Sequence, residues 1–197
     1  MRWIDVVGPP GVGKSTLCDR DWPPEAIRWN GEQYPSEWGA FLECAWGLLR
    51  RVRTHPTYSA CESMMHRSFR KMAAVAACES ADIYVQTGFA QRGLGLGWRL
   101  ANPREVEAYY RRMPVSLGVA MLSADVETLR RRNVARGKDR SHMVPAVVRA
   151  CAIAAEVLRD RGIPFIEIDT RRPVEACVGE LRAFVEVARR SADAQAA

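Results

Sequence analysis

Eight consecutive residues, Gly8-Pro9-Pro10-Gly11-Val12-Gly13-Lys14-Ser15, with Thr16 directly after them, carry the clearest chemistry in the chain. They satisfy the pattern G-x-x-x-x-G-K-[ST]. The segment stands between a short β-branched run over 2–7 (RWIDVV) and a helix expected to begin at Lys14. In that setting the glycines let successive backbone N–H groups turn inward around an anionic oxygen, and the helix aims its positive dipole end at the same point. Lys14 is placed to reach the β- and γ-phosphates of a nucleoside triphosphate, and the Ser15 hydroxyl to ligate Mg²⁺. Gly8, Pro9, Pro10, Gly11, Val12, Gly13, Lys14, Ser15 and Thr16 are therefore expected to bind the nucleotide. Lys14 also acts in catalysis, Ser15 is the metal ligand, and the cofactors are ATP and Mg²⁺.

A second segment, Leu129-Arg130-Arg131-Arg132-Asn133-Val134-Ala135-Arg136, follows an expected strand over 115–122 and the turn Ser123-Ala124-Asp125. With the first motif it makes the chain resemble the P-loop NTPases, and the length of 197 residues narrows the resemblance to the small nucleoside and nucleotide kinases. In that group an L-x-x-R-x-x-x-R pattern leads into a lid over the phosphates. Leu129, Arg132 and Arg136 fill it, and Lys138, Asp139 and Arg140 continue the lid loop. The resemblance implies that Arg132 and Arg136 are catalytic, meeting the charge that phosphoryl transfer spreads over equatorial oxygens. A solvated basic helix would carry the same arginines.

One position departs from the group. Where those kinases place an acidic residue at the end of the strand corresponding to 82–87, this chain has Gln86-Thr87-Gly88, followed by Phe89, Gln91 and Arg92. A glutamine supplies no negative charge to Mg²⁺, so a carboxylate must come from elsewhere or Ser15 and the phosphates must suffice. Asp5, Glu32 and Glu62 are the candidates. Glu32 is favoured as the catalytic carboxylate because it follows a possible second strand at 26–29, where substrate-side bases lie in the resembled kinases. Arg92 is either a phosphate ligand or a solvated loop arginine.

The acceptor is less constrained. Trp22, Trp29, Trp38 and Trp46 fall between the phosphate loop and His55. Trp38 and Trp46 share a helix stripe with Phe41 and Leu42 and read as core. Trp29 and Trp98 lie in less regular segments and suit a base or a nucleic-acid strand. The net charge is +6, and residues 89–140 alone hold eleven basic and five acidic side chains, so the excess is local. A phosphate-rich partner would select such a segment. So would a simple coding bias, with 26 arginines against three lysines.

Together these features resemble, within the P-loop kinases, the bacteriophage enzymes that phosphorylate the hydroxymethyl group of hydroxymethyluracil in DNA. That resemblance implies a DNA acceptor, a cytoplasmic setting in a host cell, and a base extruded from the duplex for reaction. Two rivals stand beside it: a (deoxy)nucleoside or nucleotide kinase, and a nucleotide-binding regulatory module with little transfer activity.

These groups need a scaffold, and the alternation of elements specifies one. Expected strands at 2–7, 82–87, 115–122 and 163–168, with a possible one at 26–29, are separated by helical patterns. Parallel strands joined by crossovers require helices on both faces of the sheet, giving an α/β fold, the three-layer sandwich of the P-loop NTPases. Ser59 with Glu62 has capping-box spacing before a helix running to 80. Residues 89–100 read as loop or broken helix because of their glycines, and Asn102-Pro103 starts the next helix. One domain over 1–190 is expected, with a lid segment at about 125–143 and a frayed tail at 191–197.

Composition excludes other classes. At 48% apolar and 26% charged residues the chain is neither disordered nor fibrous. No apolar run approaches the roughly 20 residues that span a bilayer, and no signal-peptide core follows Met1, so a cytoplasmic protein without membrane partners is expected. The cysteines at 18, 44, 61, 78, 151 and 177 form no C-x-x-C pair and the three histidines are scattered, so no structural metal is expected.

Overall fold

The computed structural model describes residues 3–21, 36–77, 83–85, 88–100, 102–115, 117–137 and 141–196. Its elements in chain order are β1 (Trp3–Val7), α1 (Lys14–Asp21), a 3₁₀ turn (Ser36–Trp38), α2 (Gly39–Arg51), α3 (Tyr58–Ala77), β2 (Ile83–Val85), α4 (Phe89–Leu100) and α5 (Pro103–Arg112). They continue as β3 (Gly118–Ser123), α6 (Val126–Ala135), a 3₁₀ turn (Ser141–Met143), α7 (Val144–Asp160), β4 (Phe165–Asp169) and α8 (Val174–Ala196). The four described strands form one parallel sheet in the order β2-β1-β3-β4. The possible strand at 26–29 lies outside the described residues.

Side chains of a strand alternate between its faces, and here both faces are covered. Trp3, Val7, Val119 and Met121 enter one core with α2, α3, α4, α5 and α7. Ile4, Val6, Ala120 and Leu122 enter a second core with α1 and α8. All five residues of β1 are buried. That strand lies between two others, and its end delivers the phosphate loop.

The expected helix start at Asn102-Pro103 holds for the expected reason, and a second cap, which the residue pattern does not single out, stands at Asp125. Asn102 caps α5, its side chain accepting the Arg104 N–H at 3.1 Å, with Pro103 in the first turn. Asp125 caps α6, accepting the Thr128 N–H at 2.7 Å and the Thr128 hydroxyl at 2.8 Å. Two expectations fail. Ser59 is inside α3 rather than at its cap, and Glu62 instead accepts the Tyr58 hydroxyl at 3.0 Å, one turn away.

Residues 89–100 are one unbroken helix. The glycines there serve packing: a Cβ at Gly93 would come within 2.7 Å of the Tyr109 and Tyr110 rings, and one at Gly97 within 2.9 Å of Ala150. Two neighbouring helices therefore press against α4 more closely than any side chain would permit. Tyr109 and Tyr110 also donate their hydroxyls to the Phe89 and Ala90 carbonyls at 2.8 and 2.6 Å, anchoring the first turn of α4. No described helix is long and apolar enough to cross a membrane.

Candidate nucleotide-binding site

The loop between β1 and α1 is held from both sides. Val7 and Val12 are fully buried. The Val12 N–H bonds back to the Pro9 carbonyl at 3.3 Å, and the Leu17 N–H to Gly13 at 3.1 Å starts the helix. Gly11 and Gly13 have φ of 84° and 97°, a region closed to most side chains, so the loop backbone follows this path only with glycine. Ser15 and Thr16 stand exposed in the first turn of α1, where an anion and its cation would sit.

Lys14 folds over the loop, donating its Nζ to the Gly8 carbonyl at 2.7 Å and the Pro9 carbonyl at 3.2 Å. Burial disfavours its charged form and lowers its pKa to about 8. An adjacent polyphosphate would restore the charge.

Two residues beyond the recognised pattern fix this loop. Gln91, in the first turn of α4, accepts the Gly8 N–H on its Oε1 at 3.1 Å. Asn133, buried in α6, donates from Nδ2 to the Pro10 carbonyl at 2.9 Å and to Leu129 at 2.8 Å. A Cβ on Gly11 would meet that amide at 2.8 Å. Asn133 sits inside the segment that resembles the lid pattern, but nothing in its type distinguished it from an exposed helix position. Only its apolar neighbour Leu129, four residues earlier and fully buried, marks the inward face.

Arg132, beside Asn133 on α6, and Arg136, the C-cap of that helix, bring two guanidinium groups to the same loop. Arg132 and Arg136 line a cavity of about 210 Å³ together with Gly11, Gly13, Thr16, Thr170 and Val174. Arg132 reaches across to the β4–α8 turn, with Nη1 on Thr170 Oγ1 at 3.0 Å and Nη2 on the Thr170 carbonyl at 2.8 Å. Arg130 and Arg131 are exposed. The fold thus brings Arg132 and Arg136 to the loop, while Lys138, Asp139 and Arg140 lie outside the described residues.

The carboxylate candidates separate. Glu32 and the Gln86-Thr87 pair lie outside the described residues. Glu62 is engaged with Tyr58 on α3. Asp5 has no exposed surface. It pairs in register with Val85 of β2, accepts the Trp3 indole N–H on Oδ2 at 3.1 Å, and has Oδ1 packed where a Gly88 Cβ would come within 2.2 Å. Burial raises its pKa to about 7. Asp5 is therefore an interior carboxyl rather than one facing a substrate.

The tryptophans divide similarly. Trp38 is core, edge-on to Trp3 at 6.5 Å and Phe89 at 4.9 Å. Trp46 packs on Phe69 and His66. Trp98 is half-buried between His55 and His142, with the Arg99 guanidinium 4.4 Å from its ring centre. Trp22 and Trp29 lie outside the described residues. Among the described residues, the arginines of 89–140 go to separate partners. Arg92 bonds Ser68, Arg111 pairs with Glu107, Arg112 bonds the Ala108 carbonyl and Arg132 turns to Thr170.

A phosphate cradle at the end of a central parallel strand, flanked by helix-borne arginines, invites comparison with known architectures. The fold is similar to that of a deoxyadenosine kinase. The structure of deoxyadenosine kinase from M. mycoides with dCMP and a flexible dCDP bound matches with a TM-score of 0.59 at 11% identity, over 94% of this chain and 99% of that one. The same kinase with bound dATP gives 0.52 at 12% identity, over 93% and 99%. No family model matches the chain, and neither does any curated protein. The shared architecture is the α/β fold, a parallel sheet with helices on both faces.

Proposed function

We propose that this protein is a Mg²⁺-dependent kinase that transfers the γ-phosphoryl group of ATP to a hydroxyl of a nucleoside or nucleotide. The assembled phosphate loop carries the reading: Lys14 and Ser15 at the head of α1, with Arg132 and Arg136 lining the cavity beside Gly11 and Gly13. The donor and acceptor class draws support from the structural neighbours, which are structures of deoxyadenosine kinase with dCMP, dCDP or dATP bound.

In this reading the N–H groups of the loop and Lys14 hold the β- and γ-phosphates. Ser15, at the head of α1, would hold Mg²⁺, which would supply positive charge against the phosphates. Arg132 and Arg136 meet the charge of the transferring group from the lid segment 125–143. Glu32 takes the proton of the attacking hydroxyl. The site needs no soft-metal ligands, consistent with an oxygen-only cation shell.

A second reading has the hydroxymethyl group of hydroxymethyluracil in DNA as acceptor, in the cytoplasm of a phage-infected host. The half-buried Trp98 with Arg99 over its ring favours it, since base stacking beside a cation is how single strands are gripped. Supplying labelled ATP with deoxynucleosides, deoxynucleoside monophosphates and hydroxymethyluracil-containing DNA in parallel tests both. Product from either of the first two supports the main reading, product from DNA alone supports the second, and label released only as inorganic phosphate overturns both.

A further inference from the structure

Helix α7 covers the sheet unevenly. β1 is buried along its whole length and β3 in all but its last residue, whereas β4, at the edge of the described sheet, has only Ile168 buried. Between α7 and these two strands lies a cavity of about 270 Å³. Its walls are Met121 and Leu122 of β3 with Val148, Cys151 and Ala155 of α7, and Pro9 of the phosphate loop borders it as well. Protein interiors leave few voids larger than a water molecule, so a space of this size beside the loop calls for a cause. The cause is in the residues: α7 lines this side with Cys151, Ala152 and Ala155, too small to reach the strands. The cavity shares no lining residue with the one beside Arg132 and Arg136.

Its charged groups are the exposed Glu156 and Arg159 of α7 and Glu167 of β4. Arg159 stands 3.8 Å from Glu167 and lays its guanidinium 4.9 Å from the Phe165 ring centre. Glu156 forms no ion pair among the described residues. Two carboxylates against one guanidinium leave the rim net negative. Cys151 lies within electrostatic reach of both the rim and the loop. Burial pushes its thiol up to about 12, with Lys14 pulling it down and Glu167 pushing it further up, so it is a neutral apolar wall rather than a nucleophile. Lys14 in turn donates to the Pro9 carbonyl at 3.2 Å. A molecule seated against Pro9 therefore bears on the backbone that holds this lysine.

We propose that this cavity is an effector site for a small amine with an apolar ring, the ring lying against Cys151 and Ala155 and the cation beside Glu156 and Glu167. An occupied cavity braces the phosphate loop through Pro9 and raises its affinity for ATP. An apolar enclosure with a few polar groups that fix orientation is the general form of a small-molecule site, and the carboxylate excess selects a cation over an anion. Amine binding stands apart from the kinase reading, and only its link to ATP rests on that reading. The link is reciprocal, so ATP must tighten the amine by the factor by which the amine tightens ATP.

Calorimetric titration of the intact protein tests this without turnover. The probes are tryptamine, 3-methylindole and indole-3-propionate, one ring system with a cation, no charge or a carboxylate. The wild type should bind tryptamine with a Kd below about 1 mM and about tenfold tighter than 3-methylindole, as one charge-assisted contact provides, and should not bind indole-3-propionate. Glu156→Gln combined with Glu167→Gln should bring tryptamine to the level of 3-methylindole. Ala152→Trp, at an exposed position lining the cavity, should close it and abolish binding of both with Tm close to wild type. Saturating tryptamine should tighten ATP by about threefold or more in the wild type and not in Ala152→Trp. Equal affinity for all three probes, tryptamine binding that survives Ala152→Trp, or bound tryptamine that leaves ATP affinity unchanged or lowered overturns the effector site. Absent ATP binding would overturn the kinase reading and the link with it, while the three-probe comparison still decides the cavity.

Discussion

The Asn133 side-chain amide donates 2.9 Å to the carbonyl of Pro10, joining the interior face of α6 to the phosphate loop. Arg132 is the neighbour of Asn133 on the same helix and Arg136 caps that helix, so the bond ties the segment that carries both arginines to the loop. Asn133→Ala should leave the Pro10 carbonyl unpaired and cost about 1–2 kcal/mol of stability. It should also lower kcat more than it raises the KM for ATP. Thermal unfolding and steady-state kinetics check both, and kinetics unchanged in a destabilised variant would confine Asn133 to folding.

Arg132 and Arg136 should separate from their neighbours on α6. Arg132→Ala and Arg136→Ala should each lower kcat on the order of 10²-fold or more with smaller changes in ATP affinity, because their contacts strengthen as charge develops. Arg132→Ala should also lower Tm through its two lost bonds to Thr170, whereas Arg136→Ala should not. Arg130→Ala and Arg131→Ala, at exposed positions, should leave both quantities close to wild type. Four variants with the same modest effect would show a solvated helix face.

Asp5 gives the fold a pH dependence of predictable sign. Its folded pKa, raised to about 7, exceeds the ordinary value of 3.8, so the folded state holds a proton that the unfolded state has lost. Its contribution is fully present below about pH 4, declines as pH rises to about 7, and is flat above that, with at most about 4 kcal/mol involved. Asp5→Asn keeps an acceptor for the Trp3 indole and removes the ionisation. Tm measured from pH 5 to pH 8 should fall for the wild type relative to this variant, and parallel curves would refute the assignment.

Much of this architecture was legible from residue types. Strand, glycine loop and helix around 2–16 follow from the local pattern, and the helix start at Asn102-Pro103 is chemistry of single residues. The sequence misled where long-range contact overrode local preference. Gly93 and Gly97 read as helix breakers, yet they are there because Tyr109, Tyr110 and Ala150 approach too closely for a Cβ. Ser59 and Glu62 have cap spacing, but the helix begins one residue earlier, at Tyr58. Asn133 and Gln91 were invisible as loop braces, since a buried amide 123 residues from its partner leaves no local trace. The basic excess in 89–140 is real as a count, but among the described residues its arginines are spread over α4, α5, α6 and the cap that follows α6, because a linear segment folded into several helices does not keep one face.

Lys14 should report nucleotide binding through protons. Its pKa of about 8 rises when phosphate oxygens replace the loop carbonyls as its partners, so binding near pH 8 takes up about half a proton. The binding enthalpy measured in buffers of different ionisation heat should vary with a slope of that size. The slope should vanish in Lys14→Ala.

Phosphoryl transfer at this loop is tested most directly by following the acceptor's mass. Wild type, Lys14→Ala and Ser15→Ala are incubated with saturating ATP and Mg²⁺ and with the nucleoside, nucleotide and modified-DNA acceptors. The wild type should add one phosphoryl group to at least one acceptor, and both variants should fall by orders of magnitude while retaining the wild-type fold by circular dichroism. Wild-type-like turnover in either variant, or no phosphorylated product from any acceptor with the wild type, would contradict the account.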